Sequence, residues 1–330
     1  MPNFRKILIA VKNPDARRQP GVDKALHIAK TLGATVELFH AISAPVFLEL
    51  QPLTGRSVAE LRREAIDLRL KRLKKLVVHA HRLGLTASAT VEWDFPPHEA
   101  IVRRAIHSRA DLIIAECHEG ARFVPWLVRL TDWELLRASP MPVLLLKTTK
   151  PWRKRAVLAA VDPAHAHAKP AGLDARIIAH AGKLAAKAGG LLHVMHASYP
   201  SLPNYALGDP GGDAAALAAS YEQWTARRCE DFVSFARGEG IPRTRLHIVE
   251  GNPVTGIPAI ARQLGADLVV MGAVSRSGLK RVFIGNTAER VLNDLPCDVL
   301  VVKPAHFPKR VAVKPRGMRV IPPQPIIPMP

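Results

Sequence analysis

The 330-residue chain is 48% hydrophobic and 23% charged; it is long enough for two cores of ordinary size, and no apolar run reaches the ~18–20 residues a membrane span needs. Its three cysteines, Cys117, Cys229 and Cys297, fall at neither CxxC nor His/Cys metal-ligand spacing, which argues against a disulfide framework or a zinc site and makes the cytoplasm the expected compartment. A formal charge of +19 draws phosphate-bearing molecules and loads nucleic acid nonspecifically, without naming a partner.

In chain order, the opening MPNFRKILIAVKNPD holds one short apolar run, Ile7 to Val11, too short for a secretory signal and read as a first strand. Arg62, Arg63, Arg69, Lys71, Arg72, Lys74 and Lys75 then accompany Ile66, Leu70, Leu73, Val77 and Ala80 at helical spacing. The spacing predicts an amphipathic helix whose basic face is solvated, in preference to a dedicated nucleic-acid patch, since no aromatics interleave to stack bases. ADLIIAECHE, from Ala110, returns as ADLVVMGAVS, from Ala266, and the same offset of 156 aligns His40-Ala41 with His196-Ala197, Pro97 with Pro253, Ile101 with Ile257, Pro140 with Pro296 and Lys147 with Lys303. Near the start the offset is 150, pairing KILIAVK with AVLAAVD, so the second copy carries six extra residues around Ala164 to Gly172, an insertion suited to a loop.

Each copy reads as strand, helix, strand, long helix, strand, helix, strand, helix, strand. In the second copy the strands are expected at 156–161, 191–197, 245–249, 266–271 and 298–302, with helices at 174–187, 214–237 and 254–264. The strands are continuous apolar runs, as in a parallel sheet covered on both faces. Right-handed crossovers then give an α/β, doubly wound, five-stranded sheet in each copy, ordered 3-2-1-4-5. The expected domains are 1–150 and 151–304. The remainder, 305–330, is basic and rich in proline and is expected to be extended, mobile and without a part in either core.

In such a sheet a ligand binds beyond the carboxyl ends of the strands where their order reverses, between strands one and four. In the second copy those ends are Val161-Asp162-Pro163 and Met271-Gly272, the latter opening into GAVSRSGLKRVFIGNTAER. Gly272 permits close backbone approach, Gly278 a positive φ, and Gly285-Asn286-Thr287 a helix start whose N–H groups suit phosphate. Asp162 can accept hydrogen bonds from a ribose hydroxyl or an adenine edge. Structural roles compete with these. Asn286 with Glu289 resembles a capping box, and Asp162 before Pro163 can simply start a turn. His165, His167 and His180 gather on no common face with acidic partners, which favours solvated loops over a metal. Tyr199 and Tyr205 fall in a long Pro/Gly loop, read as a cover for the site or as ordinary loop packing.

The segment from Gly272 to Gly285 resembles the nucleotide-binding signature of the universal stress protein family, Gly-x2-Gly-x9-Gly-(Ser/Thr), with the first and last glycines in register, and the resemblance runs from about Phe4 to Pro304. It implies an adenine nucleotide alpha hydrolase-like, flavodoxin-like layering. It also implies ATP contacts at Asp162, Ala197, Gly272, Ser275, Gly285 and Asn286, and a role in stress and DNA-damage resistance. Ser275 stands where the family has its second glycine and Asn286 where Ser or Thr is usual; losing one or two charge-assisted hydrogen bonds at ~1.5–3 kcal/mol each weakens binding roughly ten- to a thousandfold or more. In the first copy Lys12, Glu116, Glu119 and Arg129 align with Asp162, Gly272, Ser275 and Gly285, and Glu116 is expected to repel phosphate, leaving a degenerate site. The resemblance further implies that the copies pair through their last strands as a pseudo-dimer within the chain, with room for a homodimer. No nucleophile elbow, Walker Lys-Ser/Thr or GxGxxG turn is present, so a sensor is expected rather than an enzyme. The competing readings are a slow ATP hydrolase, a carrier of a lipid-like ligand suggested by the apolar loop from Ala44 to Leu50, and nonspecific RNA binding.

Overall fold

The computed structural model describes residues 4–47, 57–117, 130–153, 156–163, 172–198, 214–272, 286–308 and 311–321. The chain forms two compact units, one built from Asn3–Thr149 with Pro308–Pro330 and the other from Lys150–Phe307.

The first unit runs β1 (Lys6–Ala10), α1 (Pro20–Leu32), β2 (Thr35–Ile42), β3 (Val46–Phe47), α2 (Val58–Arg82), β4 (Ala87–Trp93), α3 (Pro97–His107), β5 (Leu112–Glu116), α4 (Leu130–Ala138) and β6 (Val143–Leu146). Its main sheet is parallel and ordered β4-β2-β1-β5-β6, the expected 3-2-1-4-5. Ile7, Leu8 and Ile9 of β1 are at most 2% exposed, because the central strand is covered on both faces. Helix α2 starts with a capping box in which the Ser57 side chain accepts from the Glu60 N–H and the Glu60 carboxylate from the Ser57 N–H, satisfying two otherwise orphaned donors. Leu73 and Ala80 of this helix are buried while Arg62, Arg63, Lys71, Arg72, Lys74 and Lys75 face solvent, so the basic run is a solvated face.

The second unit runs β7 (Ala156–Ala160), α5 (Leu173–Ala188), β8 (Leu191–Ser198), α6 (Ala214–Gly238), β9 (Leu246–Glu250), α7 (Pro253–Leu264), β10 (Leu268–Gly272), α8 (Asn286–Asp294) and β11 (Asp298–Val302). Its parallel sheet, β9-β8-β7-β10-β11, repeats the order of the first. The repeat reaches individual hydrogen bonds. Asp111 accepts from the N–H groups of Arg5 and Lys6, and its counterpart Asp267 accepts from Arg153 N–H. The aspartate of each Ala-Asp-Leu run thus ties the start of strand one to the start of strand four. Helices α1 and α5 both end on a left-handed glycine, Gly33 at φ 69° and Gly189 at φ 68°, whose N–H returns to carbonyls of the last turn.

The tail departs from its expected disorder. Val311 is buried, β12 (Val320–Ile321) pairs in parallel with β3, and Arg316 and Gly317 hydrogen-bond to Asp94. The physical reason lies in where the prolines fall. Between Pro315 and Pro322 six residues run without one, enough free N–H groups for a bend and two residues of pairing.

Candidate functional site

In the second unit the strand order reverses between β7 and β10. Asp162 follows the buried Val161 just beyond β7, and its N–H donates to Asp174 Oδ1 at 3.1 Å. Its Oδ1 lies 3.6 Å from His196 Nδ1 and 3.7 Å from Arg228 Nη1. His196, 1% exposed, has the same Nδ1 3.2 Å from the Val161 carbonyl, and its ring stacks on Phe232 at 5.5 Å. The Arg228 guanidinium lies over the Trp224 ring at 4.3 Å. Trp224, Arg228 and Phe232 are spaced four apart and share one face of α6. Neither that stripe nor Asp174 was singled out as part of the site; the four-residue spacing was the signal available for it. In the first unit His40 Nδ1 sits 2.8 Å from the Val11 carbonyl, and burial pushes its pKa down. The paired His-Ala motif therefore fastens the end of strand one in both copies.

Of the expected site residues, Asp162, Ala197, Met271 and Gly272 come to the carboxyl ends of β7, β8 and β10, and Asn286 and Thr287 open α8. Ser275, Gly278 and Gly285 lie outside the described residues, as do the side chains of Asn286 and Thr287, and Tyr199, Tyr205, Arg276, Lys280 and Arg281.

Gly272 has a packing role of its own. A Cβ there would lie 2.9 Å from Leu173 Cδ2 and 3.1 Å from Ile177 Cδ1, both on α5. The first unit solves the same contact in reverse. Glu116 stands at the position of Gly272, and Gly21 of α1 aligns with Ile177; a Cβ on Gly21 would lie 1.9 Å from Glu116 Oε1 and 2.5 Å from its Cγ. Glu116 thus packs over the first turn of α1, where a helix start favours a carboxylate, instead of simply facing an incoming phosphate. Beside it lies a cavity of about 240 Å³, walled by Val11, Phe39, Ile101 and Leu135 and bordered by Lys12, His40, Glu116 and Asp132.

Elsewhere, His193 Nδ1 and His247 Nε2 lie 3.0 Å apart, with both pKa values lowered by burial. Among the described residues no group of three His, Cys, Asp or Glu side chains could hold a metal ion, and no helix is long and apolar enough to cross a membrane.

The sequence model of the Universal stress protein family matches this chain twice, at residues 3–147 and 155–303. The chain belongs to the Universal stress protein family. This tandem universal stress protein is similar to universal stress protein E of Escherichia coli K12, with 26% identity over 309 residues, 93% of this chain and 96% of that one. A crystal structure from Pseudomonas aeruginosa UCBPP-PA14 is 28% identical, covers 91% of this chain and 94% of its own, and superposes with a TM-score of 0.68. A universal stress protein from Archaeoglobus fulgidus, 20% identical over 91% of this chain and 97% of its own, shares the fold with a TM-score of 0.58. The family carries a stress-response role, and both copies of its domain are present in this universal stress protein.

Proposed function

We propose that the second domain holds one adenine nucleotide per chain, with ATP as the expected ligand, and that the protein works in the cytoplasm as a nucleotide sensor of the stress response, not as a catalyst. The observation that carries this reading is the part-exposed Asp162 carboxylate at the reversal of strand order, beside the side-chain-free Gly272 and within 4 Å of His196 and Arg228. A carboxylate so placed accepts hydrogen bonds from a ribose hydroxyl or an adenine edge, and the start of α8 favours phosphate. In the first domain Lys12 and Glu116 stand at the matching positions, so the same reading assigns no nucleotide there.

Calorimetric titration of ATP into the full chain tests the proposal. One site per chain is expected. Asp162→Ala weakens it about ten- to a hundredfold, the worth of one hydrogen bond to a charged group at ~1.5–3 kcal/mol, and Gly272→Glu abolishes it. Because Gly272→Glu also drives a side chain into Leu173 and Ile177, Asp162→Ala is the cleaner variant. A stoichiometry of two, or an affinity unchanged in Asp162→Ala, refutes the reading.

A further inference from the structure

Residues 311–321 lie along the rim of the first unit made by β3, the β4–α3 connection and one face of α3. The Arg316 and Gly317 N–H groups both donate to Asp94 Oδ1, at 2.8 and 2.9 Å. Gly317 has φ 75°, a left-handed turn that aims two successive donors at one acceptor. The Arg316 guanidinium is forked onto Glu99, Nε to Oε2 at 2.8 Å and Nη2 to Oε1 at 2.6 Å. Arg103 donates to the Ala312 carbonyl at 2.8 Å and pairs with Asp94; Arg319 lies over the Phe95 ring at 5.7 Å. Val320 and Ile321 pair with Val46 and Phe47.

Two features separate this arrangement from ordinary packing of a chain end. The acceptor is tied to the first unit's own framework, since Asp94, 1% exposed with the strap in place, pairs with Arg103 of α3 and accepts from the Phe95 N–H, so the carboxylate is held in position by groups other than the strap. The strap itself buries little. Val313 is 89% exposed and the Arg316 side chain 60%, and its described contacts are mainly hydrogen bonds and charge pairs. Segments held that way sit at the low-stability end of a structure and exchange readily.

We propose that this rim is a recognition groove for an extended Arg-Gly peptide, and that residues 311–321 occupy it as an internal stand-in which a partner segment of the same chemistry displaces. Each contact reads something a second chain can present: two consecutive N–H groups with glycine second, a guanidinium for Glu99, and a short strand for the edge of β3. The tether gives the internal segment an effective concentration on the order of millimolar. A competing peptide therefore binds the intact protein weakly until the strap is loosened.

The probe is a synthetic, fluorophore-labelled peptide of residues 311–321, followed by anisotropy with the full-length protein. The peptide is basic and the chain carries a formal charge of +19, so bulk attraction does not account for uptake. Full-length Arg316→Glu, whose own strap turns a carboxylate toward Glu99, is expected to bind the peptide at least tenfold more tightly than wild type does. A peptide carrying the same Arg→Glu change is expected to bind at least tenfold more weakly than the native peptide, and adding Glu99→Gln to the Arg316→Glu chain to remove the gain. The proposal is overturned if Arg316→Glu takes up the native peptide no better than wild type or both peptides equally. Hydrogen exchange that finds 311–321 as protected in Arg316→Glu as in wild type overturns it as well.

Discussion

Substituting alanine at Gly21 puts a methyl group 1.9 Å from Glu116 Oε1 and 2.5 Å from Cγ, too close for the carboxylate to step aside by rotating its tip alone. The whole Glu116 side chain must leave the first turn of α1, an overpacking cost of about 1–3 kcal/mol. Against this stands the helical preference for alanine over glycine, ~0.8–1 kcal/mol. In wild type the change is therefore expected to be neutral to about 2 kcal/mol destabilising. With Glu116→Gly already present the clash is gone, and the same change is expected to stabilise by about 0.8–1 kcal/mol. The coupling between the two sites is then about 1–3 kcal/mol, equivalent to ~2–12 °C in the melting of a unit this size at ~2–4 °C per kcal/mol. Hydrogen exchange at the β1 amides of Ile7–Ile9 reads the first unit without interference from the second. An effect of Gly21→Ala that agrees within ~0.5 kcal/mol in the two backgrounds, below what contacting residues show, would mean that Glu116 does not lie where its position over Gly21 places it.

Asp94→Ala takes from Arg103, 7% exposed, the nearer of its two carboxylate partners, leaving Glu99 Oε2 at 3.4 Å, and is expected to cost about 3 kcal/mol, the lower end for a broken buried pair, in urea unfolding of the first unit. Ending the chain after Pro304 removes the Arg316 and Gly317 bonds onto Asp94 and should lower the melting temperature of the first unit by roughly 2–8 °C, from ~1–2 kcal/mol of lost hydrogen bonding; calorimetry with hydrogen exchange locates the change. Burial, with Arg176 and Lys183 nearby, lowers the His180 pKa from 6.5 to about 4. The unfolded chain thus takes up the proton first. Stability is unaffected above pH ~6.5, falls as pH drops toward ~4 and levels below that, by up to roughly 3 kcal/mol. His180→Gln should flatten that part of a plot of urea midpoint against pH.

Much of the architecture was legible because the signals were local or periodic. The apolar strands and the offset of 156 placed two five-stranded sheets, and observed strand and helix ends fall within two residues of the expected ones in the second copy. Asp162 and Gly272 were found by position, since strand order dictates where the reversal falls. The exchange of Gly21 and Glu116 for Ile177 and Gly272 was not legible: each half of the pair is an unremarkable residue until the fold sets α1 against β5 and α5 against β10. Arg228 was missed for a different reason. A 25-residue helix offers several faces, and only the fold turns the one shared by Trp224, Arg228 and Phe232 toward Asp162 and His196. The order in the tail is not legible from its proline content, because it depends on the six proline-free residues between Pro315 and Pro322 meeting Asp94 and β3.

The strap also sets an order of events during synthesis. The first unit's sheet is complete once the ribosome has passed Leu146, but its rim is closed by residues 311–321, which are made after the second unit. At ~5–20 residues per second, the interval from Thr149 to Ile321 is on the order of ten to thirty seconds. Throughout it the nascent first unit has a fully formed sheet and an unoccupied rim, with Asp94, Glu99 and the edge of β3 open to any extended basic segment in reach. That segment can come from a neighbouring nascent chain or from the same one still emerging. A strand made after the second unit is therefore the one that completes the rim of the first.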